Sequence, residues 1–334
     1  MLQTVALGPQ WPTVSPFLFC AHHDDSYPEG NGAMGPAAAL DGRELGQDFA
    51  GLDGWNMYHG RTVPGFPAHP HRGFETVTYV RRGVIDHSDS LGAAARFGRG
   101  DVQWLTAGRG IQHAEMFPLL ADDRPNPLEL FQIWLNLPAD RKLVEPSFTM
   151  LWGRDVPVTQ AAPGVDVTVI AGSVGDTAAP APPPDSYAAQ ADADVAIWHV
   201  VLGTHAAWTM PPAAGPETVR MLYVFEGDGL TVDTTRIGAD TGVLVDASRP
   251  VPLTAGRSGA ECLVLQGRPI DEPVARYGPF VMNTEAEIRL AFLDYERDRF
   301  GDWAWDREDP VHPAESARFA RHADGRIEEL DGLD

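Results

Sequence analysis

Between residues 54 and 266 apolar side chains recur at every second position in short runs punctuated by glycine. Successive side chains on an extended strand point to opposite faces, so this period of two marks strands with one buried face. A first set of runs covers 76–80, 83–87, 102–105 and 129–137. A second covers 165–171, 196–202, 221–225, 229–233, 242–246 and 261–266. The pattern predicts one β-architecture built twice. The 34 glycines and 29 prolines suit a turn-rich all-β chain and would interrupt a helical bundle, and 334 residues suffice for two domains.

Between the two sets, residues 139–164 have mixed composition, with prolines at 146, 157 and 163, and read as the linker. The run 175–194 is poor in large apolar residues and carries Pro180, Pro182, Pro183 and Pro184, which predicts an exposed excursion. Near the end, Asn283 and Thr284 followed by Glu285 and Glu287 form a helix-start pattern. Ile288, Leu290, Ala291, Phe292 and Tyr295 are its expected apolar face, packed on a barrel. The polar tail 301–334 contains Trp303 and Trp305, expected to pack back on the domain.

A formal charge of -22, with Lys142 the only lysine, repels a phosphate backbone and argues against direct nucleic-acid binding. Cys20 and Cys262 lie far apart and form no secreted-type disulfide framework, which fits a reducing cytoplasm. Residues 1–16 lack a basic region followed by an apolar run, and no apolar stretch is long enough to span a bilayer. The expectation is a cytoplasmic protein without export signal or membrane anchor.

Two short clusters hold the chemistry: His69-Pro70-His71 and His113-Ala114-Glu115. Residues i and i+2 share a strand face, so His69 and His71 can look into a barrel from one strand, and His113 and Glu115 from another. Three imidazoles and a carboxylate suit one mononuclear divalent first-row ion, iron foremost, with nickel, copper, manganese or zinc chemically compatible. Glu75, of the same parity if no bulge intervenes, is a fifth candidate, assigned to hydrogen bonding behind the ligands because a second carboxylate would crowd out substrate. Gly108-Arg109-Gly110 lacks the Lys-Ser or Lys-Thr partner of a phosphate loop. The second set of runs offers only His199 and His205, without a His-x-His pair, and is expected to hold no metal. His22, His23, His59, His87, His312 and His322 read as surface or packing residues, with His59, ten residues before His69, the one nearest the cluster in sequence.

Phe66-Pro67-Ala68-His69-Pro70-His71-Arg72-Gly73-Phe74-Glu75-Thr76-Val77, then Gly100-Asp101-Val102-Gln103-Trp104 and Thr106-Ala107-Gly108-Arg109-Gly110-Ile111-Gln112-His113-Ala114-Glu115-Met116, resemble the signature of the pirin family. Gly278-Pro279-Phe280-Val281-Met282-Asn283-Thr284 resembles its C-terminal signature, so the likeness runs from about residue 16 to 300. The resemblance implies an all-β bicupin, two jelly-roll-like cupin barrels packed face to face, with a short C-terminal helix. It implies an N-terminal metal-binding cupin domain over 1–138, the linker 139–164, a metal-free cupin domain over 165–300 and the tail 301–334. The chain departs from the family in an apparent insertion at about 30–53, placed to edit the rim of the pocket, and in the extended tail.

The same resemblance implies iron on His69, His71, His113 and Glu115. Family members include quercetin 2,3-dioxygenases and iron-dependent co-regulators of transcription factors. The expected function is therefore a metal-dependent dioxygenase that takes O2 and a flavonol such as quercetin, or another enol, with Glu115 accepting the hydroxyl proton, the ring cleaved and carbon monoxide released. The alternative is a non-enzymatic, iron-dependent redox-sensing binding protein or transcriptional co-regulator with a protein partner.

Overall fold

The computed structural model describes residues 3–330, which divide into two compact units. One takes the chain up to Ala21, Ile133–Pro138 and Leu151–Asp271. The other takes His22–Gln132, Ala139–Met150 and the chain from Glu272 onward. Segment 139–164 thus contributes to both, and it carries the strands Ser147–Leu151 and Val158–Ala162. No helix among the described residues is long and apolar enough to cross a membrane.

The first unit contains a seven-stranded and a four-stranded sheet. Period-two alternation sets its core: Val169, Trp198, Val264, Leu222 and Val243 face one another across five adjacent strands, and all are buried. Burying each such side chain contributes about 1.5–3 kcal/mol. Cys20 and Cys262 are buried free thiols, both raised above the ordinary thiol pKa by burial. The excursion over 175–194 is largely loop, tied down where buried Tyr187 donates its hydroxyl to the Arg268 carbonyl at 3.0 Å.

The second unit contains most of a five-stranded sheet, ordered Ser147–Leu151, Val102–Thr106, Phe74–Arg82, Asn126–Asn136, Phe17–Tyr27. Its six-stranded sheet runs Ile327–Glu329, Phe319–Arg321, Ala94–Gly98, Val84–Asp89, Ile111–Met116, Gly65–His71. The tail therefore belongs to this sheet: its hairpin adds two strands beside Ala94–Gly98, with Ala320 opposite Ala95. Arg96 explains the attachment. It is fully buried, bonds both carboxylate oxygens of Asp86 at 2.7 and 2.8 Å, and donates to the carbonyls of His312, Pro313 and Ser316. A buried guanidinium persists only when paired and fully hydrogen-bonded, and the tail supplies those acceptors. Trp305 adds a hydrogen bond from its indole to the Asp89 carbonyl at 2.9 Å.

The helix spans Glu285–Asp298 and starts at a capping box, Thr284 accepting from the Glu287 amide and Glu287 from the Thr284 amide. Ile288 and Ala291 are buried, with Phe292 and Tyr295 packed against the same cluster, an i, i+3, i+4, i+7 stripe. Leu290 does not join it. Two positions from Ile288, it points away from the stripe and is 57% exposed.

Candidate metal centre

The strands Gly65–His71 and Ile111–Met116 pair antiparallel, with His69 opposite His113. Directly opposed residues share a face, and the i+2 rule brings His71 to it. The three imidazole rings lie 4.5–4.9 Å apart between centroids, and one nitrogen from each falls within 4.8 Å of the other two. His71 and His113 are buried, while His69 keeps partial exposure.

The donor set fits a metal ion. His69 Nδ1 bonds the Pro67 carbonyl at 2.8 Å, which fixes its ring. Both ring nitrogens of His113 are buried without a hydrogen-bond partner among the described residues, a costly arrangement that coordination relieves at one of the two. Burial lowers the pKa of His69 to about 4 and those of His71 and His113 well below the ordinary imidazole value. All three are then neutral at physiological pH, the form that binds metals.

Glu115 is buried beside the triad, with Oε2 at 3.9 Å from His113 Nε2, and stands outside the mutually close histidine group. Gln132 Nε2 donates to its Oε2 at 2.7 Å, and the Thr78 hydroxyl lies 3.4 Å from Oε1 while donating to Gln132. Burial raises its pKa, opposed by His87, Gln132 and Thr78.

Glu75 faces elsewhere. Gly73, at φ 84°, turns the chain from one sheet into the other, so strand parity does not carry from His71 to Glu75. A Cβ at Gly73 would meet the Val281 carbonyl oxygen at 1.9 Å, which is why glycine is required there. Glu75 is fully buried and accepts from the Thr106 hydroxyl at 2.8 Å.

Two residues near the triad were not singled out as site residues in the sequence. His87 is fully buried, pairs in register with Glu115 and brings its ring to 5.4 Å from His113, with Nε2 at 3.2 Å from Asp89. Its His87-Ser88-Asp89 spacing repeats the i, i+2 signal of the other clusters. Phe66 reaches the ligand-bearing face through a β-bulge between Phe66 and His69, which sets it opposite Glu115. Of the remaining histidines, His22 meets Glu129 at 3.0 Å, His199 meets Glu261 at 2.8 Å, and His322 meets Glu328 at 2.7 Å. His312 bonds the His87 carbonyl, and exposed His59 bonds that of Gly46.

An all-β chain with two cupin domains, the first bearing a histidine triad able to hold a metal ion, is a bicupin. This chain belongs to the pirin family: the Pirin model matches residues 3–135, and the Pirin C-terminal cupin domain model matches 198–301. A Pseudomonas aeruginosa protein provisionally named as a quercetin 2,3-dioxygenase is 40% identical over 235 residues, 70% of this chain and 79% of that one. A pirin-like protein of Solanum lycopersicum is 35% identical over 254 residues, 71% of this chain and 77% of its own. The crystal structure of quercetin 2,3-dioxygenase from Acinetobacter baumannii superposes with a TM-score of 0.72 at 25% identity, covering 90% of this chain and 98% of that one.

Proposed function

We propose that this protein is a metal-dependent dioxygenase of flavonol-type enols, with His69, His71, His113 and Glu115 as ligands of one divalent ion, iron foremost. The observation that carries this reading is the close grouping of three neutral imidazoles beside a buried, hydrogen-bonded carboxylate. The relatives named for quercetin 2,3-dioxygenase support the substrate class.

An ion bound there supplies Lewis acidity that lowers the pKa of an enol hydroxyl, and redox access for dioxygen. The chain does the rest. Glu115 accepts the proton of the substrate hydroxyl at its carboxylate, and Gln132 and Thr78 hold that carboxylate in place. Buried His71 and His113 exclude water from the inner side. Overall, one dioxygen is consumed, the heterocycle opens and carbon monoxide leaves.

An oxygen electrode tests this with iron-loaded protein and quercetin. Steady oxygen uptake is expected, with Glu115→Ala retaining measurable metal while turning over at least tenfold more slowly, and His113→Ala losing metal. No uptake by metal-loaded wild type would discard the enzyme in favour of a redox-sensing binder. Undiminished uptake in the Glu115 variant would remove that residue's role as base.

A further inference from the structure

Four aromatic rings, one of them from the apparent insertion at about 30–53, form a wall beside the triad. Phe66, brought by the bulge onto the ligand-bearing face, holds its ring 6.3 Å from that of His69 and is partly exposed. Tyr58 stacks behind it at 5.1 Å, and His59 meets it edge-on at 5.7 Å. Phe49, from the insertion, packs on Tyr58 at 5.5 Å and His59 at 5.1 Å, yet remains 53% exposed.

This wall is held with unusual care. Tyr58 has φ 56°, a left-handed backbone that a bulky aromatic residue rarely adopts. Its hydroxyl donates to Asp25 Oδ2 at 2.7 Å and accepts from His23 Nδ1 at 2.7 Å, while Asn56 bonds the other oxygen of Asp25. Both backbone groups of Tyr58 pair with Asp48. A strained conformation fixed from so many sides is the usual mark of a shaped site, and the ring it fixes is the one backing Phe66.

We propose that Phe49, His59 and Phe66, backed by buried Tyr58, form the subsite for a planar aromatic ring of the substrate, which selects aryl-bearing enols over aliphatic ones. The inference rests on the metal centre proposed above. Phe66, 6.3 Å from the His69 ring and partly exposed, and Phe49, 53% exposed beyond Tyr58 and His59, leave apolar surface beside the triad for a substituent of a bound enol. Aromatic pairs at these separations favour a further ring beyond the area it buries.

The test uses full-length protein loaded with zinc(II), without oxygen, titrated with quercetin and with acetylacetone, a chelating enol that has no aryl group. Phe49→Ala, at a half-exposed position that should not disturb folding, is expected to bind quercetin roughly three- to tenfold more weakly and acetylacetone unchanged. Phe66→Leu, checked by its melting curve, is expected to show the same selective loss. Quercetin binding equal to wild type in both variants, or an equal loss for both ligands, would overturn the proposal. Because zinc supports binding without turnover, selective loss in a protein that consumes no oxygen would keep the aryl subsite and discard only the dioxygenase reading.

Discussion

Replacing His113 by leucine should make the metal-free protein more stable, not less. Both ring nitrogens of His113 are buried without a hydrogen-bond partner among the described residues, and leaving a buried polar group unsatisfied costs about 1–3 kcal/mol. Leucine has similar volume and nothing to satisfy, so His113→Leu in chelator should gain up to about that amount. At roughly 2–4 °C per kcal/mol, the melting temperature of the unit carrying the site should rise by about 2–12 °C. Metal reverses the order. An ion at a hundred times its Kd stabilises wild type by about 2.7 kcal/mol, and the variant, lacking a ligand, gains little. Differential scanning calorimetry with chelator and then with graded anaerobic iron(II) or zinc(II) reads both effects. A variant less stable than wild type in chelator would show that the His113 ring is satisfied in solution, and parallel gains on adding metal would show that it is no ligand.

Arg96→Ala should destabilise by about 3–5 kcal/mol, because Asp86 is left charged, buried and without its guanidinium; urea denaturation measures this, and limited proteolysis should cut the tail beyond residue 301 faster. Burial alone would raise the pKa of Glu129, but its bond to His22 and the charges of Arg81 and Arg82 outweigh that and hold it at about 2, below the ordinary 4.5. The folded form therefore binds its proton less tightly than the unfolded chain. This stability is complete above about pH 4.5 and lost as pH falls through about 2; the shift corresponds to about 3.4 kcal/mol, which solvent screening of the Arg81 and Arg82 charges reduces to about 2–3 kcal/mol. The stability difference between wild type and Glu129→Gln should shrink over that window, and a difference independent of pH would contradict the assignment.

Much of the fold was legible because its signals are local. The strands Val165–Ala171 and Ala196–Leu202 match their apolar runs residue for residue, since period-two alternation needs only neighbouring residues and a buried face. The helix start at Thr284 was equally visible, because a capping box closes within four residues. Strand parity alone brought His69, His71 and His113 onto one face, whereas Glu115, expected as a fourth ligand by the same argument, lies beside the histidine group and outside it. Parity failed where the chain changes sheets: the turn at Gly73 sends Glu75 to another face, and the bulge before His69 brings Phe66 onto the ligand-bearing one. Ala94–Gly98 escaped notice because buried Arg96 interrupts an apolar reading, and its partners arrive from the tail more than 200 residues later. The histidines that could line an ion were thus legible from spacing along two strands. How the rim is built, and what closes the sheet, depended on register and on pairings between distant segments, whose energies exist only once the chain has brought them together.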